Sequence, residues 1–283
     1  MTLSSLACRP FAISLVLLAI GPSVSAQQSP FVPPYTCSNE QDSLNSWSRV
    51  AGTASESKLL TTIPNATIES LSARDGQSLK GISARSSANT KDALLVIQGN
   101  GWSLRWLAGE IARFPTESLD VYAFDFRGYG LSKPGTPAFG SIITDYQDIA
   151  SALQTKGYRN LYLYAFSFGG VIAANAFPTG APFHRIVLDA VPSHPRDYGF
   201  ICIESYDPPV HLPDDCSSYT FMHGTSDGVV PRKYAKENID AIRKCGGVLD
   251  IEVARGHPFQ MEWDASREKR VKAIMEHLRR SDE

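Results

Sequence analysis

Lysine and arginine never gather into a block in this chain. With 27 of them against 29 acidic residues, the formal net charge is −2. A protein that grips nucleic acid or an anionic membrane surface needs a basic patch to neutralise phosphates, so the sequence argues against both as partners. Cysteine is scarce as well, five residues in 283, and none of the spacings is that of a zinc site. No metal and no cofactor is expected. Long apolar runs are missing too: Phe11 to Ile20 is the longest obvious one, and a membrane-spanning helix needs about 20 residues. No repeat of fixed period and no low-complexity segment appears.

What the chain does have begins with a leader. Arg9, the apolar run, Gly21-Pro22 and then Val24-Ser25-Ala26 form a signal-peptide pattern with cleavage expected after Ala26. That implies a secreted or periplasmic protein with no stable membrane insertion once the leader is gone. The remaining 257 residues (283 minus 26) carry 26 basic and 29 acidic side chains, a net of −3. They suit one large domain, placed at 61–283, preceded by an amino-terminal arm at 27–60. Pro30, Pro33 and Pro34 suggest that the arm is extended, and Cys37 is positioned to pin it.

From residue 67 onward, strand and helix signals alternate. Thr67–Ala73 and Leu79–Ser86 flank the turn dipeptide Asp75-Gly76 and predict an antiparallel opening pair. Ala93–Gln98 is continuously apolar, as a strand buried on both faces is. Leu119–Asp125, residues 160–166, Arg185–Ala190, Ser218–His223 and Leu249–Ala254 complete the strands. Helices are predicted over Leu104–Arg113, 141–156, from the end of the fifth strand to about Phe177, from Pro231 to Gly246-Gly247, and along the stripe Val271, Ile274, Met275, Leu278. The predicted fold is therefore α/β, a mostly parallel sheet of roughly eight strands flanked by helices on both faces. Only a short cap, about residues 191–217, interrupts it.

An even number of mature cysteines in an exported chain predicts two disulfides. Cys202 and Cys216 bracket the connection between the sixth and seventh strands and are expected to pair. Cys37 is then left for Cys245.

The fifth strand ends in Tyr164-Ala165-Phe166-Ser167-Phe168-Gly169-Gly170. A serine with small residues two before and two after it, between a strand and a helix, is the pattern of a strained turn that exposes its hydroxyl. Three other strands end in patterned loops. These are Gln98-Gly99-Asn100-Gly101-Trp102, Asp125-Phe126-Arg127-Gly128-Tyr129-Gly130-Leu131-Ser132, and His223-Gly224-Thr225-Ser226-Asp227-Gly228-Val229-Val230-Pro231. The last strand ends in Arg255-Gly256-His257. In this order and at these spacings, over about residues 67–280, the chain resembles the α/β-hydrolase fold family.

The resemblance implies a serine hydrolase. Ser167 would be the nucleophile, His257 the base that takes its proton, and Asp227 the acid that orients the imidazole. Phe168 and Asn100 would supply the two oxyanion amides, with Gly101 the lesser alternative for the second; Gly101 and Trp102 would also border the substrate. Ala165 and Gln98 stand where the family has glycine and histidine. The expected substrate is a small carboxylic ester with a short acyl group. The same triad also serves thioesterases and peptidases, and a catalytically silent binding protein is the rival from another class.

Gly99-x-Gly101 lacks the third glycine of a dinucleotide site, where Leu104 stands. Asp189 is an alternate acid. Asp125 is expected to anchor its own loop through backbone amides and Arg127, and His223 to be structural.

Overall fold

The computed structural model describes residues 40–280 apart from 64, 89, 117, 199–203, 253–254 and 261. The leader, its cleavage site, the proline-rich stretch around Pro33, Cys37 and Cys202 lie outside the described residues.

The sheet has eight strands in the order β1-β2-β4-β3-β5-β6-β7-β8. They are β1 (Ala66–Ser72), β2 (Ser78–Ala84), β3 (Asp92–Ile97), β4 (Asp120–Phe124), β5 (Asn160–Phe166), β6 (Arg185–Asp189), β7 (Tyr219–Gly224) and β8 (Val248–Glu252). β1 and β2 pair antiparallel, as do β2 and β4; every other pairing is parallel. Parallel strands need helical crossovers, and these cover both faces. β3 shows why its sequence is continuously apolar. Leu95 and Ile97 point into one core beside α4 (Phe139–Thr155), α5 (Phe168–Ala176) and α6 (Lys236–Lys244). Leu94 and Val96 point into the other, beside α3 (Leu104–Ile111) and α7 (Asp264–Leu278). On α4 the side chains at helical spacing, Ile142, Tyr146, Ile149 and Leu153, are all almost fully buried. Each such burial is worth about 1.5–3 kcal/mol relative to exposure.

Residues 40–62, given no element by the sequence reading, fold into α1 (Glu40–Ala51) and α2 (Glu56–Thr62). Leu44 and Ala51 of α1 are fully buried in the first core, and Leu59 of α2 in the second. α1 is pinned above the carboxyl ends of the strands. Ser103 Oγ donates to Ala51 O (2.8 Å), Ser48 Oγ to Gly128 O, and Gln41 Nε2 to Pro137 O (2.6 Å).

The connection from β6 to β7 contains only short 3₁₀ turns among its described residues: Pro195–Tyr198, Glu204–Tyr206 and Pro208–His211. No helix among the described residues is long and apolar enough to cross a membrane.

The cysteines pair otherwise than the sequence reading expected. Cys216 is bonded to Cys245, with Cα atoms 5.1 Å apart. This rules out both expected pairings, Cys202 with Cys216 and Cys37 with Cys245, because a sulfur closes only one disulfide. The reason lies in the parallel register. Thr220 of β7 sits beside Val248 of β8, so the residues just before each strand start at the same level, and Cys216 N donates to Cys245 O at 2.8 Å. Loop length drew the expectation towards Cys202; strand adjacency decides the outcome.

Candidate active site

Ser167 caps the junction of β5 and α5 with φ +53° and ψ −125°, a conformation that L-residues rarely adopt. Its N–H donates to Asp189 O on the neighbouring strand at 2.8 Å, which holds the turn to the sheet. The small residues around it are required by contact. A Cβ at Gly169 would lie 2.4 Å from Ile97 O, and one at Gly170 would lie 2.1 Å from Val191 Cγ2. Ala165 is fully buried and fits where the family has glycine. Gly170 is a tight position that the sequence reading did not single out.

Asp227 follows β7 and His257 follows β8, so with Ser167 all three expected triad residues lie beyond the carboxyl ends of the strands. Asp227 Oδ1 accepts the amides of Val229 (2.8 Å) and Val230 (2.7 Å), leaving Oδ2 for His257 Nδ1 at 2.8 Å. With Nδ1 donating, Nε2 keeps its lone pair and can take a proton. Both side chains are buried, whereas Ser167 is partly exposed. Burial alone would raise the Asp227 carboxyl, but the charge and hydrogen bond of His257, with the Val230 amide, hold it below the ordinary carboxylate range.

The loop carrying His257 is held by Arg270, fully buried on α7. Its guanidinium donates to Gly256 O (2.6 Å), to Glu262 Oε1 (2.7 Å) and to Asp189 Oδ2 (2.5 Å). Glu262 in turn accepts the Phe259 amide at 3.2 Å. Asp189 also accepts from Tyr164 Oη at 3.0 Å. Its carboxylate therefore serves Arg270, while the His257 ring is held by Asp227. The clue to Arg270 was its position: it lies four residues before Ile274 and eight before Leu278, on the buried stripe of its helix, where an unpaired charge is not tolerated.

The loop after β3 is fixed from several sides. Gln98 Nε2 donates to Phe124 O at 3.0 Å. Asn100 Oδ1 accepts from Gly101 N–H and from Tyr129 Oη, both at 3.0 Å, so the Gly101 amide is already used. Asn100 Nδ2 is buried and has no hydrogen-bond partner among the described residues. Asp125 joins this loop to the next: Oδ1 accepts the Leu104 amide and Oδ2 the Leu131 amide, both at 2.7 Å. A Cβ at Gly130 would lie 2.1 Å from Asp125 Oδ2, so the carboxylate fits only because residue 130 is glycine. Arg127 plays no part in this anchor, contrary to expectation. It pairs with Asp145 on α4 (2.7 Å from Nε to Oδ2) and with Asp75 at 2.7 Å.

Trp102 combines two roles. Its ring meets Phe166 edge-on at 5.6 Å, and the same residue lines an open pocket of about 370 Å³. His223 is fully buried and stacked on Phe221, and burial pushes its pKa down, in keeping with a structural residue.

This architecture defines a class, and the comparisons with known proteins agree. Residues 88–198 match the family described as serine aminopeptidase, S33. The uncharacterized protein YfhR of Escherichia coli (strain K12) is 23% identical over 187 residues, and that of E. coli O157:H7 is 24% identical. The match covers 58% of this chain and spans only 64% of the length of those relatives. Among solved structures, XC6422 from Xanthomonas campestris, an α/β serine hydrolase without a lid, aligns over 75% of this chain and 93% of its own, with TM-score 0.56 and 14% identity. A puromycin hydrolase aligns over 77% of this chain and 39% of its own, with TM-score 0.60 and 15% identity. The fold is that of the α/β-hydrolase superfamily.

Proposed function

We propose that this chain is an exported serine esterase that works through an acyl-enzyme on small esters with short acyl groups. The observation that carries the reading is the buried Asp227–His257 pair at the carboxyl edge of the sheet, with Ser167 strained outward at the end of β5. In the reaction, His257 Nε2 takes the Ser167 hydroxyl proton as Oγ attacks the ester carbonyl. The imidazolium that forms is stabilised by Asp227, whose pKa is already depressed. The carbonyl oxygen gains negative charge and is held by the amides of Phe168, at the first position of α5, and Asn100. Collapse breaks the C–O bond, the leaving alkoxide takes the proton from His257, and water repeats the sequence on the acyl-enzyme. The bond from the Gly101 amide to Asn100 Oδ1 supports Asn100 over Gly101 as the second oxyanion donor.

Export fits the Cys216–Cys245 bond, because disulfides persist in oxidising compartments. The short-acyl preference rests on the short connection between β6 and β7, whose described residues form only 3₁₀ turns. The match to serine aminopeptidases and the likeness to a puromycin hydrolase favour one second reading, cleavage of an amide. A fluorophosphonate probe followed by a panel of ester, thioester and aminoacyl-amide substrates tests both. Labelling at Ser167 with turnover of short esters is the expected result. Labelling with amide turnover alone selects the second reading, and a chain that resists the probe and turns over nothing is the silent binding protein.

A further inference from the structure

Beyond the triad, the most informative surface is the pocket next to the loop after β3. Its walls include Trp47 and Val50 of α1, Asn100 and Trp102, Trp106 of α3, and Phe259 of the His257 loop. Few large apolar side chains are exposed among the described residues, yet two of them, Val50 at 60% and Trp106 at 52%, converge here. Apolar surface gathered at a concave rim marks a ligand site rather than chance exposure. The walls are also rigid. Trp47 lies against the backbone of Gly101, where a Cβ would meet its ring at 2.7 Å, and Gly101 itself has φ +73°. Trp102 is braced edge-on by Phe166, and its ring centroid lies 6.5 Å from that of Phe259. α1 is tied down next to the site by Tyr129 Oη, which is shared between Leu44 O (3.3 Å) and Asn100 Oδ1 (3.0 Å).

We propose that this pocket is the acyl subsite and that it takes a flat aromatic acyl group, with α1 forming the wall that the short β6–β7 connection does not provide. The inference rests on the esterase reading above. The acyl side follows from connectivity. Residues 100–102 belong to the loop that would hold the oxyanion, and a Cβ at Gly99, one residue earlier, would lie 3.3 Å from Ser167 Cβ, so this loop runs from the nucleophile to the pocket. The leaving group departs towards His257 Nε2; neither Ser167 nor His257 lines the pocket, which joins the reaction centre through Asn100 and Gly101. The aromatic class follows from the apolar part of the lining, where three indoles and a phenyl ring offer faces and edges to a planar ring; Gln260 and the Glu110–Arg267 ion pair (2.7 Å) complete the wall. At about 370 Å³ the space also suits a compact group of that kind.

The test compares ethyl acetate, ethyl phenylacetate and benzyl acetate, hydrolysed by the mature protein and by its Trp47→Ala and Trp106→Ala variants. Trp106 is half exposed, so its replacement leaves the core intact. We expect Trp106→Ala to lose about tenfold or more in kcat/KM on ethyl phenylacetate and to stay within about threefold on the two acetates, and Trp47→Ala, which also removes the ring behind Gly101, to lose more on ethyl phenylacetate than on either acetate. Equal losses on all three esters would mean that the tryptophans act structurally, and no loss would mean that the pocket is unused; either overturns the subsite. A selective loss on benzyl acetate would assign the pocket to the leaving group and overturn the acyl placement. If the unaltered protein hydrolyses neither acetate, the esterase reading fails and the subsite fails with it, an outcome distinct from acetate turnover that is indifferent to Trp106.

Discussion

Asp125 and Asp227 are both buried aspartates at the carboxyl edge of the sheet, and both accept two backbone amides, yet their acidities diverge. Burial pushes Asp125 up to about 7 against its amides from Leu131 and Leu104. Burial acts on Asp227 in the same direction, but its side chain is lowered because His257 adds a neighbour able to carry positive charge. Two amide dipoles and the weaker pull of the Lys133 charge do not compensate for removing the Asp125 carboxylate from water; a hydrogen-bonded, cation-capable partner does so for Asp227. The first aspartate is suited to holding a loop, the second to stabilising a charge that appears during a reaction.

Removing the reactive pair should therefore have the largest effect. Ser167→Ala and His257→Ala are expected to lower kcat by on the order of 10⁴–10⁶ with folding retained, and Asp227→Asn somewhat less, about 10⁴. Asp125→Asn should lower kcat far less. Steady-state rates on one short ester, with circular dichroism as a folding control, rank the four. Near-equal losses in Asp125→Asn and Asp227→Asn would erase the distinction drawn between the two carboxyls.

Arg270 extends the comparison from single residues to whole loops. The loop after β3 is held mostly by neutral groups, whereas the His257 loop hangs on a buried cluster of charges, Arg270 with Asp189 and Glu262. Arg270→Met leaves two buried carboxylates without their cation and should cost about 3–5 kcal/mol in denaturant unfolding. A loss below about 1 kcal/mol would mean that the cluster relaxes or admits water. The Cys216–Cys245 bond sits at the opposite edge of β7 and β8, away from the site. Cys216→Ser with Cys245→Ser should cost about 3.6 kcal/mol in the chain-entropy account and leave kcat near its original value. A large fall in kcat would show that this edge is coupled to the site.

Much of this was legible in the sequence, and the rest was hidden for identifiable reasons. The eight strands followed from apolar runs and turn residues, and the loop motifs placed Ser167, Asp227 and His257 because each follows its strand directly. The contacts of those residues depend on chain neighbours far apart in sequence. Thus Arg270 reaching Gly256, and Trp47 seated on Gly101, escaped a reading made loop by loop. α1 was nonetheless visible in principle: Leu44, Trp47, Ser48 and Ala51 have helical spacing, overshadowed by the prolines before them. The cysteines went astray because loop length was weighed where strand register governs.

The smallest effect is the most specific to the comparison, and its sign is fixed by the two acidities. An ordinary aspartate titrates near 3.9, and Asp125 in the folded protein titrates at about 7. Between those values the folded state keeps a proton that the unfolded chain has released. The contribution of Asp125 to stability is therefore fully present below about pH 4, declines as pH rises, and is lost by about pH 7. Asp227 has the opposite sign: its contribution is present above the ordinary carboxylate value and is lost as pH falls through its depressed one. Asp125→Asn removes the first titration. It also leaves one of the two amides, Leu104 or Leu131, without an acceptor, at a cost of about 1–3 kcal/mol. The stability gap between the original protein and Asp125→Asn should thus narrow from pH 4.5 to pH 7.5. Melting temperatures of both at four pH values in that window decide the matter, since other titrating groups cancel in the difference. A gap that stays constant, or widens with pH, would mean that Asp125 remains ionised throughout and that its two amides suffice to keep a buried carboxylate charged.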